Sequence, residues 1–319
     1  MKILFLTDSH PNYVPDLLLH GLRKLIGQDV IDYPKKQCLY DGVIGLGICP
    51  KNQLAPGWFP EDNGEIDRND VEAKIKKKYF DLIVTDVRSI SLFNSLPSNP
   101  KSKLVIIDGE DRPTPLPPGN FLLFRRETDG FDCSIPLPMA LPEELFHLIT
   151  SFDATEKTYS IGFLGGTQDD NRKELIEKIS GWFPDTLFVT TQIPTTNNYQ
   201  PEGRLGRNEY YKALQSCYFV ISLPGAGYDT FRYWENAAMN GVHIAQQMPL
   251  LIPDKFRDEK EFLTFDSPED FRKKIEKTLG DTNSYATTLA KGRYHLIKHH
   301  LTTHRAAYFL EKCHRTFGL

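Results

Sequence analysis

At 319 residues, with 40% hydrophobic and 25% charged side chains, the chain excludes a disordered or fibrous protein and is long enough for two domains, each with its own core. A formal net charge of -4 excludes a general attraction to nucleic-acid phosphates or anionic lipid, so no nucleic-acid partner is expected.

The opening MKILFLTDSHP is apolar over too few residues for a signal peptide, and no later stretch has the length of a membrane span. Cys38, Cys49, Cys133, Cys217 and Cys313 are scattered and lack Cys-x-x-Cys spacing, which predicts reduced thiols and a cytoplasmic protein. KILFLTD is followed by the helix-patterned VPDLLLHGLRKLI, and further strands are predicted in DLIVTD (Asp81–Asp86) and KLVIID (Lys103–Asp108). Strands that are apolar throughout, separated by helices, predict a parallel sheet covered on both faces and a Rossmann-like first half. Between Cys38 and Asp70 the chain is rich in Gly, Pro and Asn and predicts a long loop. Its Trp58 and Phe59 either stack on a ligand or bury beneath the loop.

After the proline-rich EDRPTPLPPGN and a helix beginning near Pro142, the polar SFDATEKT marks a domain junction near residue 155. A second series then runs YSIGFLGG, the helix NRKELIEKISGWF, TLFVTT, the helix NEYYKALQS, YFVISLPGAG, a helix carrying Glu235, and VHIAQ. It repeats the alternation of the first half. The expected fold class is α/β, with Rossmann-like domains over 1–154 and 155–290 facing each other across a cleft. SPEDFRKKIEKTLG opens on a Ser-Pro helix start and closes on Gly280. YHLIKHHLTTHRAAYFLEKCHRTF predicts a long helix, with 291–319 packing back on the first domain. Its His295, His299, His300 and His304 lack a carboxylate or cysteine partner at ligand spacing and read as helix-face residues, not a metal site.

The stretch PGAGYDTFRYWEN, Pro224 to Asn236, directly follows the apolar YFVISL. A strand, a glycine turn and a helix amino terminus make an anion site, because free backbone N–H groups and the helix dipole converge there. Pro224, Gly225, Ala226, Gly227, Tyr228, Asp229 and Thr230 form this turn. Phe231, Trp234 and Ala238 form the stripe that packs on the sheet, while Arg232 and Glu235 share the other face and are expected to look toward the cleft or solvent. Arg232 suits a phosphate and Glu235 suits sugar hydroxyls, which need an ionised acceptor. The plain alternative is a surface ion pair, with Asp229 capping the helix.

The run YYKALQSCYFVISLPGAGYDTFRYWENAAMNGVHI, Tyr210 to Ile244, resembles the donor-binding half of GT-B glycosyltransferases of the exostosin-like and bacterial spore-maturation-like kind. FLGGTQDDNRKEL, IIDGEDRP, LLFRRE and HHLTTHRAAYFL extend the resemblance over most of the chain. It implies a GT-B fold and a nucleotide-sugar donor held mainly by the second domain. The first domain would take an acceptor, whether glycan, lipid-linked or small molecule. No metal and no cofactor beyond the nucleotide sugar are implied. The resemblance places Glu235 on the nucleotide ribose and Arg232 near the diphosphate. Retaining relatives carry a second glutamate where this chain has Gly227, so the expectation is an inverting hexosyltransferase-type reaction, or one that uses Asp229 differently.

Without a metal, the leaving diphosphate must be stabilised by cations and helix amino termini. Arg232, Arg172 and the turn expected at Leu164, Gly165 and Gly166 are the candidates, with Arg207 behind them; Arg172 also reads as part of a charged helix start and EGRLGRNE as a solvated loop. For the base, Asp8 and His10 end the first strand, where a crevice residue belongs, and Glu110 with Asp111 follows another strand end. Each also reads as a cap or turn residue. A sugar-nucleotide epimerase of the same fold and a non-catalytic sugar- or nucleotide-binding subunit are the alternatives to transfer.

Overall fold

The computed structural model describes residues 1–40, 58–59, 64–98, 102–166, 170–191 and 205–319, apart from the side chains of 170, 190 and 191. In chain order the first elements are β1 (Ile3–Leu6), α1 (Tyr13–Ile26), β2 (Val30–Tyr33), α2 (Val71–Lys76), β3 (Leu82–Asp86), α3 (Ile90–Ser95), β4 (Lys103–Asp108), β5 (Leu122–Arg125) and β6 (Ile135–Pro136). They build a six-stranded sheet of order β2-β1-β3-β4-β5-β6 whose described pairings are all parallel. Every residue of β1 and β3 is buried, as strands covered on both faces require. Leu4, Leu6, Ile31, Val71, Ile75 and Phe80 form a core cluster on this sheet.

The second series is α4 (Glu143–Thr150), β7 (Tyr159–Gly166), α5 (Asp170–Trp182), β8 (Thr186–Thr191), α6 (Arg207–Gln215), β9 (Cys217–Ser222), α7 (Phe231–Ala238), β10 (Val242–Gln246), β11 (Leu263–Phe265), α8 (Pro268–Leu279), α9 (Thr282–His299) and α10 (Thr302–Phe317). Its sheet is also parallel, with order β11-β10-β9-β7-β8. Ile161, Phe163, Ile179, Phe219, Ile221, Phe265 and Phe271 centre its core. The chain divides into two compact units, 1–143 with 250–253 and 299–319, and 144–249 with 254–298.

Helix α8 starts as its sequence dictates: the Ser267 hydroxyl accepts the Asp270 N–H at 3.1 Å, Pro268 opens the first turn, and Gly280 follows the last. The carboxyl-terminal segment differs from the single long helix expected. It breaks at His300–Leu301, because this backbone pairs with Leu141: Leu141 N–H donates to His300 O and Thr302 N–H to Leu141 O, each at 3.0 Å. Beyond the break α10 lies on α1 in the first unit. Gly21 permits this contact, since a Cβ there would fall 2.1 Å from Thr302 O.

Of the loop expected between Cys38 and Asp70, residues 41–57 and 60–63 lie outside the described residues. Phe59 is buried against His20 and Tyr40, with the Arg23 guanidinium 5.1 Å from its ring centroid, and Trp58 meets the His20 ring edge-on. The loop's aromatic pair therefore serves packing in the first unit.

Candidate functional site

In the second sheet the chain moves from β7 outward to β8, then returns to lay β9 on the other side of β7 before proceeding to β10 and β11. The switch point lies between β7 and β9, and ligands of open parallel sheets bind outside the carboxyl ends of the strands at such a point. The helices that leave these two strands, α5 and α7, each send an arginine there.

Arg172 of α5 donates from Nη1 to Gly166 O at 2.6 Å and from Nη2 to Leu223 O at 3.4 Å and to Pro224 O. It thus ties the end of β7 to the end of β9. Arg232 of α7 lies over the end of β7, where a Cβ on Gly165 would stand 2.9 Å from its Cζ, Nη1 and Nη2. The Arg172 and Arg232 guanidinium carbons are 5.7 and 5.5 Å from the Phe163 ring centroid, which gives both cations a shared aromatic seat. Leu164, Gly165 and Gly166 are the last residues of β7, paired with Val189, Thr190 and Thr191, and not the turn expected. The ladder with β8 holds them extended, and 167–169 lie outside the described residues.

A pocket of about 530 Å³ opens at this edge, walled by Asn171, Arg172, Glu174 and Lys178 of α5, Leu223–Tyr228 after β9, Gln246 of β10, and Phe265–Pro268 after β11. Of the turn residues singled out in the sequence, Pro224, Gly225, Ala226, Gly227 and Tyr228 line it. The turn needs no left-handed backbone at its glycines and is closed by Gly225 N–H donating to Gly227 O at 2.8 Å. Asp229 and Thr230 do not line the pocket. Asp229 is 1% exposed and accepts the Trp234 indole N–H at 2.8 Å, while Thr230, not Asp229, holds the helix-cap position. The last turn of α7 is anchored to β9 by Asn236, whose Nδ2 donates to Ile221 O and Ser222 Oγ at 3.0 Å. Ser222 Oγ also meets His243 Nε2 at 2.9 Å; burial pushes this imidazole down to about 3, so it is neutral.

Glu235 does not look toward solvent, and the surface ion-pair reading falls with that alternative. Only 2% exposed, it accepts the Tyr211 hydroxyl of α6 at 2.5 Å. Helix α7 is buried on nearly every side, Tyr233, Trp234 and Asn236 included: it packs on β9 and β10, Phe256 meets Tyr233 and Trp234, and the α6 tyrosines reach Arg232 and Glu235. Burial pushes the Glu235 pKa up, while the Tyr211 hydrogen bond and the Arg232 and Arg207 charges pull it down. Burial and the Glu235 charge push the Tyr211 phenol well above its ordinary value, which keeps it a donor. Arg232 Nε donates to Tyr210 Oη at 3.3 Å. Arg207 opens α6 on this side. The residues expected at a donor site thus form two groups that meet at Phe163: Arg172 with the pocket turn, and Arg232, Glu235 and Arg207 with the α6 tyrosines.

In the first unit the sequence candidates gather at the carboxyl edge of the sheet. Asp8 Oδ1 accepts the His10 N–H at 2.7 Å and stands 3.3 Å from His10 Nδ1. Neither caps α1, whose cap position is Asn12. Lys36, 2% exposed, donates from Nζ to Asp8 O at 2.8 Å and His10 O at 2.5 Å and pairs with Asp16 at 3.1 Å. Glu110 is held by Arg88 at 2.5 and 3.0 Å, and the Arg88 pKa is pushed up by Glu110, Asp86 and Asp8 together. Asp111 pairs with Arg126. The histidines of the last helices go to separate partners: His295 Nε2 meets Asp254 O at 2.6 Å, and His300 is buried beside Arg305. Among the described residues, no group of three or more His, Cys, Asp or Glu side chains is placed to hold a metal ion, and no helix is long and apolar enough to cross a membrane.

Sequence reasoning missed Phe163, Tyr210, Tyr211, Gln246 and Lys178. The adjacent tyrosines of NEYYKALQS were a usable signal, since a buried tyrosine needs a partner for its hydroxyl.

Residues 170–311 match the family model described as glycosyl transferase-like. No curated protein shows significant similarity to the chain. Among solved structures the chain is similar to HepE of Anabaena in complex with UDP, at 12% identity and TM-score 0.52, covering 98% of this chain and 99% of that one. It is also similar to a glycosyltransferase of Rickettsia africae, at 10% identity and TM-score 0.53, covering 98% of each. Sucrose-phosphate synthase of Thermosynechococcus elongatus aligns at 11% identity and TM-score 0.55, covering 100% of this chain and 99% of that one. These likenesses establish the fold: it is α/β of the GT-B type.

Proposed function

We propose that the chain is a glycosyltransferase that moves a sugar from a nucleotide donor to an acceptor hydroxyl, with inversion and without a metal. The carrying observation is the switch point between β7 and β9, where Arg172 and Arg232 converge on the Phe163 ring beside the pocket. The glycosyl transferase-like match over 170–311 spans both helices that supply these arginines, and UDP is the ligand in the similar HepE structure.

In this reading the diphosphate lies against the two guanidiniums, which take up the charge that grows on the leaving group. The ribose goes to the side of Glu235 and Arg207. Its hydroxyls need an ionised acceptor, which the Tyr211 hydrogen bond and the neighbouring arginines favour against burial. The sugar enters the pocket, where Gly227 brings no carboxylate to the position that a retaining relative would fill. The first domain takes the acceptor, a glycan, lipid-linked or small molecule. Asp8 accepts the proton of its hydroxyl, with His10 and Glu110 as its neighbours at that sheet edge. The protein acts in the cytoplasm on a hexose donor.

The test is incubation of the folded protein, in the presence of a chelator, with a panel of UDP-, GDP-, ADP-, CMP- and dTDP-sugars, following release of free nucleotide. Release from one donor is expected, with Asp8→Ala reducing it by about 10²–10⁴-fold while leaving nucleotide binding intact. A folded protein that binds no nucleotide and releases none from any donor of the panel would end the proposal.

A further inference from the structure

Two consecutive tyrosines of α6 reach Arg232 and Glu235 of α7: Tyr211 bonds Glu235, and Tyr210 meets Arg232 and also hydrogen-bonds Glu235. Neighbours in a helix do not share a face, whereas residues three apart do. Tyr210 and Tyr211 leave the helix in different directions yet stay in edge-to-face contact, their rings 5.2 Å apart between centroids and inclined at 74°. Arg232 and Glu235, three apart on α7, present themselves together. Tyr211 is fully buried and its hydroxyl meets Glu235 Oε1 at 2.5 Å; Tyr210 is half-buried and its hydroxyl meets Arg232 Nε at 3.3 Å.

For packing alone, phenylalanine would fill both places. A fully buried hydroxyl spent on a fully buried carboxylate has another consequence: it holds the carboxylate in one orientation. It also opposes the proton that burial would otherwise place there. An arginine of a short helix has many rotamers, and a bond at Nε leaves the guanidinium plane directed over Gly165.

We propose that Tyr210 and Tyr211 are positioning residues of the nucleotide site, Tyr211 fixing Glu235 toward the ribose and Tyr210 fixing Arg232 toward the diphosphate. This rests on the function proposed above. The charged and titratable groups around Glu235 are Arg207, Tyr210 and Tyr211 of α6 and Arg232 of its own helix.

The experiment begins with wild-type protein and UDP, GDP, ADP, CDP and dTDP in calorimetric titrations. If none binds, the function itself fails. With the nucleotide that binds, Tyr210→Phe and Tyr211→Phe are titrated from pH 5 to pH 8.5, alongside thermal melts. Tyr211→Phe is expected to raise Kd about tenfold at pH 7, the size of one lost hydrogen bond to a charged group. Its affinity is also expected to fall off at a higher pH than wild type, because loss of the donor lets Glu235 take a proton sooner. Tyr210→Phe is expected to raise Kd several-fold with a smaller displacement of the pH profile. A purely structural role would lower the melting temperature and leave Kd and its pH profile where they are, and that outcome overturns the proposal. Should Tyr211→Phe not fold, Tyr210→Phe decides: wild-type Kd in that folded variant is equally fatal.

Discussion

Gly165→Ala separates the switch-point site from the stability of the sheet that carries it. A Cβ at Gly165 would lie 2.9 Å from three atoms of the Arg232 guanidinium, where ordinary contact begins at 3.4 Å. The guanidinium must therefore retreat by about 0.5 Å from the end of β7. The obstacle is the far end of a flexible side chain, so the backbone need not yield. Gly165 is extended in its strand, and removing a glycine from the unfolded chain stabilises by about 0.4–1 kcal/mol. The melting temperature is thus expected to hold or rise slightly.

Binding responds in the opposite direction. A charge-assisted hydrogen bond contributes about 1.5–3 kcal/mol, and displacement by half an ångström removes a fraction of it, about 1 kcal/mol. Affinity for whichever nucleoside diphosphate the wild type binds is then expected to fall about five- to tenfold. Isothermal titration of wild type and variant, with melts of both, measures the two quantities side by side. An unchanged Kd in the folded variant would refute the placement of Arg232 on the diphosphate. A melting temperature lower by many degrees would refute the claim that only the side chain yields.

Lys36→Met strands the buried Asp16 carboxylate and releases the carbonyls of Asp8 and His10; a loss of about 3–5 kcal/mol is expected in urea melts, with part of it recovered in Lys36→Met/Asp16→Asn. Burial pushes Asp16 up to about 6 from its ordinary 3.8 against the pull of Lys36. Its folded pKa exceeds its unfolded one, so its contribution to stability is complete below about pH 4 and is lost as the pH rises to about 6, an effect of the order of 3 kcal/mol. Asp16→Asn should flatten that slope between pH 4 and pH 7 in the same melts. Gly21→Ala drives a methyl group into Thr302 O, a backbone atom, and should cost about 1–3 kcal/mol or more, seen as faster amide exchange in α1 and α10.

The alternation of apolar strands with amphipathic helices determined both parallel sheets, because a strand buried on both faces must be apolar along its whole length. The Ser267–Pro268 start and Gly280 end of α8, and the strand, turn and helix around Pro224, are local as well: caps and tight turns are made by residues adjacent in the chain. That locality is why the sequence alone makes them legible.

What the sequence did not determine concerns partners distant in the chain. Nothing near Glu235 announces that Tyr211 bonds it, so helix periodicity alone leaves it facing cleft or solvent. Gly165 and Gly166 looked like a turn because the β8 ladder that keeps them extended forms through a separate segment. The break before α10 depends on Leu141 taking the hydrogen bonds of His300 and Thr302, and the Arg172 bridge depends on β9 returning beside β7. Periodicity records which side of an element is apolar, but only the tertiary structure decides which polar atom meets which. At this site those meetings set the charge and direction of the groups that would hold a nucleotide.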